Sequence, residues 1–185
     1  MRFRILLLAF TCLGLASAYL SWMLYECTPG RAALPPEHYP GTGALPRLIL
    51  FLHPRCPCSR ATVDELTQIG PLPQLEIVLS QASSAGALKA QFPQAELVSD
   101  PEGIERELYH AWTSGQLVGY SADGRLGFCG GITASRGQRG ASLGRAHLLA
   151  WLHGQPQQQA SVFGCPLVNP DEMCSYRQGT GLRNQ

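Results

Sequence analysis

Residues 47–53, RLILFLH, form a short continuous apolar run that breaks at His53 and Pro54. A run of that length without polar alternation is expected of a strand buried on both faces of a sheet. The chain then reads PRCPCSRATVDELTQIG, with Cys56 and Cys58 on either side of Pro57. Ala61, Leu66 and Ile69 recur near helical spacing, Ser59 is a plausible cap and Gly70 a stop. A buried strand passing into a helix through two thiols points to an α/β architecture, and it leaves three uses for the thiols: redox exchange, metal binding or a structural bridge.

The remaining pattern extends that architecture. LEIVLS (75–80) predicts a second strand, SSAGALKAQFP (83–93) a short helix and AELVSD (95–100) a third strand. PEGIERELYHAW (101–112) opens with Pro and acidic residues and predicts an amphipathic helix. QLVGYSADGRLGFCG (116–130) predicts two strands around Asp123-Gly124, the strongest hairpin signal in the chain. SLGRAHLLAWLHG (142–154) predicts a helix capped by Ser142, with Leu143, Ala146, Leu149, Ala150 and Leu152 on its apolar side. Residues 155–159 read as a polar loop, 161–168 as a final apolar segment and 169–185 as a flexible tail. Alternating strands and helices imply a parallel portion of sheet, to which the hairpin adds an antiparallel portion.

The first 27 residues are different in kind. After Arg2 and Arg4 (residues 1–4, a cytoplasmic n-region) comes an uncharged stretch from Ile5 to Tyr25. Such a segment is long enough to cross about 30 Å of hydrocarbon as a helix. Trp22 and Tyr25 stand where interfacial aromatics are expected. Ala-Ser-Ala at 16–18 has the form of a signal-peptide cleavage site, but the apolar residues continue past it, which favours an uncleaved anchor over residues 5–25. Either way Arg2 and Arg4 stay in the cytoplasm and the remainder is exported. Residues 26–46 hold five prolines and three glycines and read as an extended linker to a domain spanning 47–168. The whole chain carries 14 basic and 13 acidic residues, a net charge of +1, so no polyanion or nucleic-acid partner is implied.

Export alters the meaning of the seven cysteines, because six of them lie beyond the apolar helix in an oxidising compartment. FLHPRCPCSRATVDEL, TSGQLVGYSADGRLGFCGGITASRG and VFGCPL together resemble the thioredoxin fold. More narrowly, they resemble bacterial membrane-anchored thioredoxin-like proteins of the RedB-like group. The resemblance implies a four- or five-stranded mixed sheet flanked by helices, an inner-membrane single-pass anchor and a domain on the periplasmic side. It also implies thiol–disulfide exchange with exported protein thiols or disulfides and with a redox partner, without a cofactor. In that reading Cys56 is the exposed attacking thiol and Cys58 the resolving one, Pro57 restrains the loop, and Thr113, Ser114 and Gly115 present backbone to the substrate.

Physical reasoning supports a redox role independently. A thiol at a helix N-terminus faces unpaired amides and the positive end of the dipole, which favour thiolate. His53, Arg55 and Arg60 are candidates to add positive charge nearby. The chain departs from the usual thioredoxin pattern twice. Only one residue separates the cysteines, so a Cys56–Cys58 bridge is strained and an oxidising one. Counting back from Asp123-Gly124, Ser114-Gly115 falls where the fold family carries a cis-proline. Cys56 pairing with a distant thiol such as Cys165 is the alternative.

Rival readings use the same residues. Two thiolates with His53 or Cys165 suit Cu(I), which makes a copper-delivery module the competing function. A purely structural pair is disfavoured by the strained one-residue spacing. No Pro-x-x-x-Thr-x-x-Cys precedes Cys56 and no Gly-Lys-Ser/Thr occurs, which speaks against a peroxidase or a phosphate loop. The stretch 130–145, with five glycines and three arginines, borders the site in this fold. Arg136 or Arg139 is a candidate to hold an anionic group there, against a plain solvated loop. Cys165 is either a third redox or metal thiol, or a buried hydrophobe clipped to Cys174, with the clip slightly favoured. Cys129, at a strand end, reads as core.

Overall fold

The structure, a computed structural model, describes residues 2–53, 56–81, 85–156 and 158–167. Its helices are α1 (Arg2–Cys27), α2 (Pro57–Thr67), α3 (Ala85–Gln91), α4 (Ile104–Leu108) and α5 (Leu143–Leu152). Its strands are β1 (Arg47–Leu52), β2 (Gln74–Leu79), β3 (Glu96–Ser99), β4 (Gln116–Tyr120), β5 (Leu126–Gly130) and β6 (Gln158–Gln159). They form one mixed sheet in the order β3-β2-β1-β4-β5-β6. β1 pairs parallel with β2 and antiparallel with β4, while β2 and β3 are parallel and β4 and β5 antiparallel. This is a thioredoxin-like α/β fold preceded by an apolar helix.

β1 is the centre of the sheet, and all six of its residues are buried. Period-2 alternation sends Leu48, Leu50 and Leu52 to one face, where Val63 and Leu66 of α2 and Leu148 and Trp151 of α5 cover them. Ile49 and Phe51 point to the other face, among Val118, Tyr109, Tyr120 and Leu167. Rings there stack in tilted pairs, with centroids 5.7 Å apart for Phe51–Tyr109 and 5.4 Å for Tyr39–Tyr120. Each such pair is worth about 0.5–1.5 kcal/mol beyond its area burial. A bulge between Gly119 and Tyr120 brings Leu126 and Cys129 to this same face despite their odd separation.

Several expectations from sequence need correction. The helix predicted over 101–112 shrinks to Ile104–Leu108, because Gly103 (φ 80°) and His110 (φ 51°) are left-handed. The Asp100 carboxylate receives the amides of Glu105 and Arg106 at its start. The sheet has six strands rather than four or five, since Gln158–Gln159 pairs with Phe128 and Cys129 instead of forming a loop. Ser142 does cap α5, accepting from the Arg145 amide, but the buried face is Gly144, Leu148 and Trp151. Leu143, expected on the apolar side, is 71% exposed.

α1 contains a 25-residue span, Phe3–Cys27, long and apolar enough to cross a membrane. The segment after it has no regular structure, but it is strapped to the domain. Gly30 N–H donates to Val162 O, Thr113 Oγ1 to Arg31 O, Tyr120 Oη to Pro36 O and Leu126 N–H to Glu37 O. The Arg31 guanidinium lies 4.4 Å over the Trp112 ring. An extended linker was expected here, and its docking along the domain was not.

Candidate active site: a cluster of three thiols

The junction between β1 and α2 is tied by a closed ring of hydrogen bonds. His53 N–H donates to Ser114 Oγ (2.8 Å), Ser114 and Ser59 share a bond of 2.7 Å, and Ser59 Oγ donates to His53 O (2.7 Å). The N-cap of α2 is Cys56, in extended conformation (φ −87°, ψ 126°), and not Ser59, which lies inside the first turn. Pro57 follows at the first helical position, where no amide is needed and φ is already helical. Cys56 therefore stands at the mouth of the helix and Cys58 one turn position further in.

Cys165 completes the site from the far end of the chain. Its Sγ lies 2.6 Å from Cys56 Sγ. The sulfurs of Cys56, Cys58 and Cys165 all lie within 4.8 Å of one another. The segment carrying Cys165 runs antiparallel along residues 112–114: Ser114 N–H donates to Cys165 O (2.8 Å), Leu167 N–H to Trp112 O (3.0 Å), and Thr113 bridges Pro166. Gly164 permits this approach, because a Cβ there would stand 1.8 Å from Ser114 O.

The electrostatics separate the three sulfurs. Cys56 is lowered to about 4, first by the hydrogen bond from the Cys58 thiol; burial opposes this, and the Cys165 thiol with the amides of Cys165 and Ser59 adds to the lowering. Cys58 is pushed far above the ordinary thiol range by that same bond and by burial. Burial and the neighbouring Cys56 raise Cys165 to about 11. With Cys56 ionised, the Cys165 thiol beside it stays protonated, its pKa raised to about 11. Burial alone lifts Cys129 to about 11, in keeping with its place in the core.

Measured against the expected site, these positions are a mixture. The amide contribution at the helix start is present through Ser59. Arg60 is exposed and His53 half-buried, and neither is among the causes of the Cys56 shift, so thiol partners replace the expected charges. Arg55 and Cys174 lie outside the described residues. The metal alternative gathers as Cys56, Cys58 and Cys165, with His53 not part of the cluster. Cys56 was expected to be exposed, yet it is only 3% accessible.

Thr113, Ser114 and Gly115 are buried, and the Ser114 amide expected to meet substrate is held by Cys165 instead. Gly115 (φ 90°) gives its own amide to Phe51 O. Arg136 does not present a free fork for an anion. Its guanidinium donates to Gly164 O, Tyr25 O (3.1 Å) and Thr28 O (3.3 Å), and it lies 4.6 Å over the Tyr25 ring. Arg139 pairs with Asp64 at the surface. The sequence reading missed Glu65. This carboxylate, 1% exposed, receives the Gly140 amide (2.6 Å) and the Arg145 guanidinium, fastening the glycine-rich loop to α2. The same loop brings the Gly137 amide to Cys58. An acidic residue between Val63 and Leu66 on the buried face of α2 was the available signal.

No protein-family model and no curated protein matches the chain. Among solved structures it is similar to an uncharacterised conserved protein from Geobacillus kaustophilus, at 17% identity and a TM-score of 0.54, covering 78% of this chain and 94% of that one. A hypothetical protein from Sinorhizobium meliloti 1021 is similar at 18% identity and a TM-score of 0.54, covering 75% and 96%. A secreted Mycobacterium tuberculosis disulfide oxidoreductase homologous to E. coli DsbE aligns at 18% identity and a TM-score of 0.43, over 58% of this chain and 80% of that one.

Proposed function

With a thioredoxin-like fold as the premise, we propose that the chain is a membrane-tethered thiol–disulfide oxidoreductase of the RedB-like kind, anchored by α1 with its domain outside the cytoplasm. The observation that carries this reading is the setting of Cys56: a sulfur at the N-cap of α2, flanked by two further thiols that help to lower its pKa to about 4. A thiolate attacks one sulfur of a disulfide and expels the other, and a second thiol of the same protein then resolves the mixed disulfide. Metal-free chemistry of this kind needs no cofactor, only an ionised nucleophile and a resolving neighbour. Its partners are exported proteins with cysteines and a membrane or extracytoplasmic electron partner.

The test is stoichiometric exchange between the reduced chain, in detergent, and a small disulfide. The wild type releases two thiols from each disulfide it reduces, and Cys56→Ser releases none from this site. Undiminished exchange in Cys56→Ser would sink the proposal.

A second reading, soft-metal binding, is favoured by one observation: the three sulfurs within 4.8 Å of one another would fit a Cu(I) thiolate set. One tightly held Cu(I) per reduced chain, with no disulfide exchange, would make delivery rather than exchange the function.

A further inference from the structure

Residues 164–167 lie on the backbone edge of 112–114 in the way a partner's strand would, and they aim a sulfur at Cys56. We infer that Cys165, and not Cys58, is the resolving thiol, so that the redox-active disulfide of this chain is Cys56–Cys165. The inference rests on the exchange chemistry proposed above and names a residue within it.

Geometry distinguishes the two candidates. Cys56 and Cys165 come from separate segments whose backbones meet side by side, so their sulfurs approach without closing a small ring; they stand 2.6 Å apart. Cys58 shares the first turn of α2 with Cys56, and a bridge there must close across one residue while Pro57 fixes the intervening φ. The Cys165 backbone is also held on both sides. Arg136 grips the Gly164 carbonyl, the Ser114 amide grips the Cys165 carbonyl, and Pro166 bridges Thr113. Cys58 is 5% exposed inside the first turn, bonded to Cys56 and receiving the Gly137 amide, so its sulfur is committed to the helix side of the site. Cys58 is thus a positioning residue that holds the Cys56 thiolate.

The steps balance as follows. Cys56 thiolate attacks a partner disulfide R–S–S–R′, forming Cys56–S–S–R and releasing R′ thiolate. Cys165 loses its proton to that thiolate and attacks Cys56 Sγ, forming Cys56–S–S–Cys165 and releasing R thiolate. The partner gains two electrons and the chain loses two. Because Cys56 is 3% exposed beneath this cluster, the first step needs segment 164–167 to lift from the edge, and the second needs it to return.

The experiment treats the reduced full-length chain with glutathione disulfide and maps disulfides by peptide mass spectrometry, for wild type, Cys58→Ser, Cys165→Ser and Cys165→Ala. The expected result is a peptide joining positions 56 and 165 in the wild type and in Cys58→Ser. Both Cys165 variants should instead stall with one glutathione on Cys56, and agreement between serine and alanine excludes an effect of the new hydroxyl. A Cys56–Cys58 bridge formed without stalling in the Cys165 variants would overturn the assignment and leave the exchange chemistry standing. Failure of Cys56 to take up glutathione in every variant would overturn both.

Discussion

The Gly164 α-carbon approaches the Ser114 carbonyl so closely that a side chain there would place its first carbon 1.8 Å from the oxygen. Two segments distant in sequence are thereby pressed together, and the contact carries Cys165 to Cys56. Gly164→Ala must push them apart. Overpacking of this kind costs about 1–3 kcal/mol. The variant should melt earlier than wild type, and its Cys56 should be alkylated faster by iodoacetamide at neutral pH. Unchanged alkylation would show that the contact does not cover the thiolate.

Arg136 makes three carbonyl contacts and a ring contact that join the end of α1 to the Cys165 segment. A planar fork is required for that set, and an ammonium cannot reproduce it. Arg136→Ala and Arg136→Lys should therefore both speed amide hydrogen exchange at 162–167, with little change in β1. Full rescue by lysine would mean that charge alone holds the segment.

The pH dependence of Cys56 has a definite sign. Its folded value, about 4, lies below the ordinary thiol value of 9.0, so ionisation favours the native state. That stabilisation is complete above pH 9.0 and is lost progressively as pH falls toward 4. Thiolate reactivity of Cys56, followed by alkylation of the wild-type chain, should stay flat from neutral pH downward until it falls near pH 4. Cys58→Ala removes the largest cause of the lowering, so the fall should move to higher pH. A profile unmoved by that substitution would assign the thiolate to Cys165 and the backbone amides instead of Cys58.

Arg47 and Glu76 form an ion pair whose side chains are 6% and 7% exposed, with Glu96 as a second partner for the guanidinium. Removing one member of a buried pair typically costs about 3–5 kcal/mol, because the other charge is left without compensation. Arg47→Met should be destabilised by an amount of this order in urea unfolding. Adding Glu76→Leu should recover much of the loss. Equal destabilisation in single and double variants would show that packing, not charge, sets the cost.

Much of the scaffold was legible in the residues. RLILFL is buried on both faces, and the Asp123-Gly124 hairpin and the Ser142 cap stand where local chemistry places them. These features depend on neighbours a few residues away, so periodicity and turn preferences carry them. The 101–112 helix was misread because its spacing is helical while Gly103 and His110 take left-handed backbone. The two-residue β6 was missed because Gln158–Gln159 has no apolar pattern and pairs only because β5 offers an open edge.

By itself the chain of residues determined that an α/β domain would carry two thiols at the start of a helix, behind an apolar segment able to span a bilayer. Only the tertiary structure decided that Cys165, 109 residues further on, meets Cys56, and that Cys56 lies buried at 3% exposure. The same holds for the strap over Trp112 and Tyr120 and for the three carbonyls gathered by Arg136. Local propensity acts over a turn or two of chain, whereas a contact between distant segments is selected by how whole surfaces pack. Cys-Pro-Cys is therefore legible as a local pattern, whereas the third sulfur beside it is placed by the packing of residues 164–167 against 112–114.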